Sequence, residues 1–257
     1  MMNLPAKTFL LAIFFTCANL SAAVAEHHDH PDLAKKSEHI ARISLLQPQI
    51  DMFEIGAGGS LEKMAEWSQA ARAHTRNAIK EEFAKREHLE FKEFDEQKLS
   101  GNARSIYDET FLLYDATSNA ILTHSFIFPN AHPAVRALFF PWKAREFTYS
   151  LGKEVDSLAA DVDAFLLVRG IDQRSSGGRK ALGVGTAIIG TVLGVAAVPR
   201  SGANLFTAAL IDAHTGDILW FSRSIKPYDL REPTEATKLI LEFMADLPTL
   251  GPLPKTQ

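Results

Sequence analysis

The chain has 257 residues, 46% hydrophobic and 23% charged, with a formal net charge of −4. That balance lacks the basic footprint of a nucleic-acid binder and the low hydrophobicity of a disordered chain. A single cysteine, Cys17, excludes a disulfide framework and cysteine-based zinc sites, and its place near the N-terminus leaves no thiol for catalysis in the rest of the chain.

Residues 1–25 read as a secretory signal. Lys7 supplies a positive start, Phe9 to Phe15 an apolar core, and Ala23-Val24-Ala25 a small-x-small cleavage site. Cys17 offers a lipoprotein alternative, although Phe14-Phe15-Thr16 lacks the small residue that lipid attachment prefers just ahead of the cysteine. The expected location is therefore outside the cytoplasm, in the periplasm, with outer-membrane association as a further option. Residues 26–40 begin "EHHDHPDLAKKSE", polar and without apolar periodicity, which predicts a mobile His-rich leader. Cleavage after Ala25 would make His28 the third residue of the mature chain. Its imidazole, two deprotonated amides and the free α-amine could then form the square-planar nitrogen site preferred by Cu(II) and Ni(II), with His27 and His30 as further ligands. A solvated polar leader accounts for the same composition.

Residues 41–250 read as one domain, followed by a tail at 251–257. "RISLLQP" and "IDMFEI" are short strands separated at Gln47-Pro48-Gln49. After "GAGGS", an amphipathic helix carries Met64, Trp67, Ala71, Ala78, Ile79 and Phe83 on one face, with Ser60 as its expected N-cap and Glu62 in its first turn. A strand near Leu89 to Phe94, a helix near Ala103 to Thr123, a Pro- and Phe-rich packed loop from Ser125 to Arg145 and a short helix near Leu151 to Ala160 follow. "DAFLLVRG", Asp163 to Gly170, is apolar enough to be buried on both faces. "AALIDAHTGDILWFSRS", Ala208 to Ser224, reads as a β-hairpin: Asp212 can fold back on the N–H groups of its turn, Gly216 can take a positive φ beside Thr215, and Trp220 and Phe221 straddle the returning strand so that one of them is inward. "PTEATKLILEFMADLP" closes the domain as a helix with Ala236, Ile240, Phe243, Met244 and Leu247 inward. This order predicts an α/β (α+β) fold, one mixed sheet of about six strands covered by helices, with a Gly-rich apolar excursion over residues 172–203 between two late strands. The "D-x-x-T-G-x-x-x-W" pattern also occurs in β-propeller blades, but here it is present once and no repeat accompanies it.

The helix, "VDAFLLVRG", the Gly-rich excursion and "LFTAALIDAHTGDILWF" together resemble the core of the curli-secretion-channel superfamily of bacterial envelope proteins, which includes DUF799-type lipoproteins. "ISLLQPQIDMFEIGAGGSLEKMAEWSQAAR" is similar, more faintly, to the start of exported proteins of that kind. The resemblance implies an envelope-facing accessory or assembly domain without a known active site. The absence of a well-placed lipidated cysteine departs from the pattern.

Sites for chemistry are sparse. "GAGGSLEK" has Leu61 where a dinucleotide fingerprint needs its last glycine, and "GRKALGVG" lacks the Lys-Ser/Thr ending of a P-loop. For hydrolysis the candidates are the serines of "RSSGG" with His74, His124, His132 or His214, and no nucleophile elbow or His-Glu-x-x-His pair accompanies them. The charge-free run Ala181 to Val198 is the least ordinary feature. As a helix it would be about 27 Å long, near bilayer thickness, yet a single crossing would place its flanking strands on opposite sides of the membrane. Two short strands meeting near Gly190 avoid this, with Leu182, Val184, Thr186 and Ile188 facing one way. An apolar loop packed on the domain or used in a contact fits the same glycines. Leu182, Val184, Ile188, Ile189, Val192 and Leu193 are the expected partner or membrane contacts. The function expected from these features is a non-enzymatic envelope accessory or assembly factor acting through residues 174–203. A periplasmic hydrolase or transferase, and a Cu or Ni binder acting through the leader, are the alternatives.

Overall fold

The most apolar stretches of the sequence become the middle of a mixed sheet. The computed structural model describes residues 26–56, 59–126, 146–159, 161–176 and 202–251. In chain order the elements are β1 (Glu26–Asp29), α1 (Leu33–Ser37), β2 (Arg42–Leu45), β3 (Gln49–Ile55), β4 (Leu61–Lys63), α2 (Ala65–Ala84), β5 (Glu90–Glu93), α3 (Gly101–Ser125), α4 (Asp156–Ala159), β6 (Ala164–Ser175), β7 (Gly202–Asp212), β8 (Ile218–Ser224) and α5 (Pro233–Asp246), with 3-10 turns at Glu96–Lys98 and Lys153–Val155. The described strands form one eight-stranded sheet with the order β1-β8-β7-β6-β2-β5, in which β3 continues beside β6 and carries β4 on its outer edge. β2 and β3 both run parallel to β6, while β6, β7, β8 and β1 are successively antiparallel. The predicted class is correct.

Alternation along β6 explains why both faces must be covered. Ala164, Leu166 and Val168 enter a core with residues of α2 and α5, whereas Phe165 and Leu167 enter a second core with residues of α3 and α4. A fully buried Leu, Ile, Val or Phe contributes about 1.5–3 kcal/mol, so two such layers can hold the domain without a disulfide. Gly170 lets β6 pass under an aromatic ring, since a Cβ there would meet Phe206 Cδ1 at 2.4 Å.

Several expectations need correction. The leader is not a mobile arm: β1 pairs antiparallel with β8 from Glu26↔Arg223 to Asp29↔Trp220, and α1 follows it. Ser60 does not cap α2. "GAGGS" instead turns β3 into β4, with Gly56 N–H donating to the Ser60 carbonyl at 2.9 Å and Gly59 at φ 84°, so α2 starts later behind Met64. Trp220 and Phe221 are both buried, because the sheet has a core on each face. β1 and β4 are the strands beyond the six expected, and β6 runs on to Ser175, so the expected excursion begins later than residue 172.

Candidate functional site

The charge-free run lies on the connection between β6 and β7. Leu182, Val184, Ile188, Ile189, Val192 and Leu193 fall outside the described residues, but the stem they depart from is well defined. β6 and β7 stay in register as far as Arg174↔Gly202. Where they end, polar side chains replace the core. Asp172 is fully buried; its carboxylate accepts from Arg174 Nε at 2.9 Å and from Asn204 Nδ2 at 3.0 Å. Arg174 also donates to the Tyr228 carbonyl and lies 3.4 Å from Asp229, which Arg231 grips at 2.6 and 2.8 Å. The Arg231 guanidinium stands over the Trp67 ring at 4.6 Å. The network therefore ties the hairpin stem to α2 and to the loop before α5. Sequence reading missed it, although Asp172 and Arg174 interrupting an apolar strand were the available signal.

Burial pushes the Asp172 carboxyl up to about 6, Arg174 pulling it down and Asp229 adding to the rise. Because this value lies above the unfolded one, the stability contributed by protonated Asp172 is present below about pH 4 and is lost as the pH rises through about 6. Asp172→Asn should remove that dependence, a change on the order of 2–3 kcal/mol across the window. Denaturant midpoints of both proteins at pH 4.5 and 7.5 measure it. Parallel pH profiles would show that Asp172 ionises as it does in the unfolded chain.

At the other end of β7 the expected turn motif is present. Asp212 Oδ1 accepts the N–H groups of His214 and Thr215, each at 3.0 Å, and Gly216 has φ 75°. Lys36 of α1 was not foreseen. Its ammonium reaches Asp212 and Asp217 at 2.9 Å and Thr215 Oγ1 at 3.3 Å. Burial acts against charging Lys36, but these bonds from Asp217 and Asp212 hold its pKa above the ordinary value. The motif thus anchors α1 to the turn.

The leader histidines are separated by the strand they occupy. His27 lies on the α5 side, 3.8 Å from both Asp29 and Asp246. His28 points to the other face, where its Nε2–H donates to the Ser125 carbonyl at 2.9 Å. His30 Nδ1 accepts the Asp32 N–H at 3.1 Å. Among the described residues no three His, Cys, Asp or Glu side chains are grouped to hold a metal ion.

Of the histidines considered for hydrolysis, His74 bonds the Leu230 carbonyl at 3.0 Å, His124 the Tyr149 hydroxyl at 3.1 Å and His214 the Asp156 carboxylate at 2.8 Å, while His132 lies outside the described residues. In these three bonds the partner of the histidine is a carbonyl, a phenol or a carboxylate. An open cleft of about 470 Å³ lies beyond the carboxyl ends of β2 and β5, lined by Gln47, Pro48, Arg76, Glu93, Asp95 and Glu96 among others. Its acids are already paired, Glu93 with Lys80 at 2.7 Å, Asp95 with Lys98 at 2.9 Å and Glu96 with Arg104 at 3.8 Å. Among the described residues no helix is long and apolar enough to cross a membrane.

No family model matches the chain, and no curated protein does. Among solved structures it is similar to the PelC dodecamer from Paraburkholderia phytofirmans, at 9% identity and a TM-score of 0.31 over 91% of this chain and 98% of that one. A likeness that loose transfers neither fold nor function.

Proposed function

We propose that the protein is an exported, non-enzymatic factor of the cell envelope that binds other envelope components or self-associates through the segment linking β6 to β7. The observation that carries this reading is the origin of that segment. The charge-free run Ala181 to Val198 joins the two longest strands of the sheet, whose pairing is complete before the run begins. The eight described strands are complete without it, and an unbroken apolar run of this length is the kind of segment that a partner, a membrane or a second copy covers. The secretory pattern of residues 1–25 supports export, and the resemblance of the sequence from Leu151 to Ser224 to the curli-secretion-channel superfamily supports an assembly role.

Ile188→Asp tests the proposal. A carboxylate in apolar surroundings costs several kcal/mol unless it is protonated or paired. The variant should keep the cooperative melt of the wild type, since the sheet is untouched, and should be released from the membrane fraction or from its oligomer in fractionation and sizing. Wild type and variant behaving alike as folded monomers that leave the membrane fraction would overturn the reading. So would outright unfolding of the variant, because the run would then be internal core.

A further inference from the structure

We propose that β1 is a strap on the edge of β8 and that protonation of His28 releases it. Among the described strands β1 is held from one side only. It is the outermost strand beside β8, and the residues after it return to the body of the domain, His30 N–H donating to the Leu219 carbonyl at 2.8 Å and Lys36 pinning α1 to the Asp212 turn. Release would stop near His30-Pro31. On the face toward α3 the only side chain β1 inserts is His28, as Glu26, His27 and Asp29 lie at the rim or on the α5 face.

The His28 ring is built in as a neutral group. It stacks on Phe147 at 5.6 Å and 17° and meets the edge of Phe126 at 4.8 Å and 89°. A carbonyl can only accept, so the 2.9 Å contact with Ser125 fixes the proton on Nε2. A second proton must go to Nδ1. The charge it brings would share the Phe126 ring with a second cation, because the Arg223 guanidinium lies over that ring at 4.6 Å. Phe126 and Phe147 are themselves buried, so they displace the water that an imidazolium would need.

The other polar groups around the strap do not reverse this. On β1 itself are Glu26, which pairs with Arg223 of β8, His27 and Asp29. The end of α3 brings His124 and Ser125, the segment after residue 146 brings Tyr149, and α5 brings Asp246 and Glu242 from the opposite face. Burial holds His28 below its ordinary value, the Ser125 bond opposing and His27 adding to the shift. Since the folded value is the lower one, the stability that neutral His28 gives the strap is lost as the pH falls from 6.5 toward that value. Asp29 and Asp246, both raised by burial, act in the opposite sense. Release would open the outer edge of β8, whose free N–H and C=O groups can accept another extended segment.

Hydrogen exchange of the protein at pH 7.5 and 5.5, corrected for intrinsic rates, tests the strap. A free imidazole with its ordinary value of 6.5 favours protonation about tenfold at pH 5.5, so opening of β1 should become up to about tenfold more frequent. The loss of protection should appear in residues 26–30 and 218–224 and spare 164–170. His28→Phe keeps a ring in the slot and should show no change between the two pH values, whereas His27→Ala, which leaves the slot intact, should still loosen at the lower pH. Unchanged wild-type protection, an equal loss in His28→Phe, or loosening of 164–170 to the same degree would each overturn the proposal. Titration of the wild-type His28 ring by NMR gives a check that needs no variant: a midpoint at or above 6.5 would also overturn it.

Discussion

Gly216→Ala should destabilise the protein by roughly 3 kcal/mol or more, measured as a shift of the denaturant midpoint. Two independent costs add. At φ 75° an L side chain sits in the left-handed region, which costs about 1–2 kcal/mol. The added Cβ would also lie 2.1 Å from the Gly152 carbonyl oxygen, a main-chain atom that no rotamer change can move. The segment around Gly152 is fastened to the hairpin by Leu151 N–H to the Gly216 carbonyl and by Ile218 N–H to the Tyr149 carbonyl, both at 2.8 Å. Backing away would strain or break these, at about 0.5–1.5 kcal/mol each. A loss below about 1 kcal/mol would mean that residues 149–152 are laid loosely on the turn.

The parts of the fold legible in the sequence are those where local chemistry and tertiary pairing agree. The hairpin is the clearest case, since alternation from Leu205 to Asp212 and the Asp-x-x-Thr-Gly turn specify the same geometry. "DAFLLVRG" was readable because a strand buried on both faces needs apolar residues at every position. β1 was not, because "EHHD" has no apolar alternation. Main-chain pairing to β8 holds it, and its one inserted ring belongs to a histidine, which composition counts as polar. At "GAGGSLEK" two local solutions compete, a helix capped by Ser60 and a return strand, and the bond of Met64 N–H to the Met52 carbonyl, at 2.9 Å, shows that the strand wins. The Asp172 network draws on β6, β7, α2 and the loop before α5, and no window along the chain contains it. Lys36 reaching the Asp212 turn is likewise a contact between distant segments. The expected contact residues from Leu182 to Leu193 remain a reading of the sequence, supported by where their segment leaves the sheet.

Trp220→Ala should cost about 3–5 kcal/mol, a large part of the 5–15 kcal/mol that holds a typical domain together. Trp220 is fully buried in the core beneath α2 and α5. Its placement depends on an irregularity in the ladder: the register between β7 and β8 shifts between Leu210 and Ile211, so Leu219 and Trp220, adjacent in sequence, enter the same core while Ile218 and Phe221 enter the other. A bulge of this kind re-aims one side chain and sharpens the twist, and here it gives the indole a place that strict alternation would have given to only one of the pair. Truncation would leave a cavity bounded by two helices and the sheet, which cannot close without moving an element. One feature reduces the loss. The indole Nε1 has no hydrogen-bond partner among the described residues, so removing it also removes a buried, unsatisfied donor. Trp220→Phe separates the two effects. It keeps most of the apolar volume, drops the N–H, and should cost less than about 1.5 kcal/mol. Denaturant titrations of both variants give the comparison. A cost below about 1 kcal/mol for the alanine variant would mean that the core beside β8 can collapse around the gap, and an equal cost for both would mean that the N–H is bonded after all.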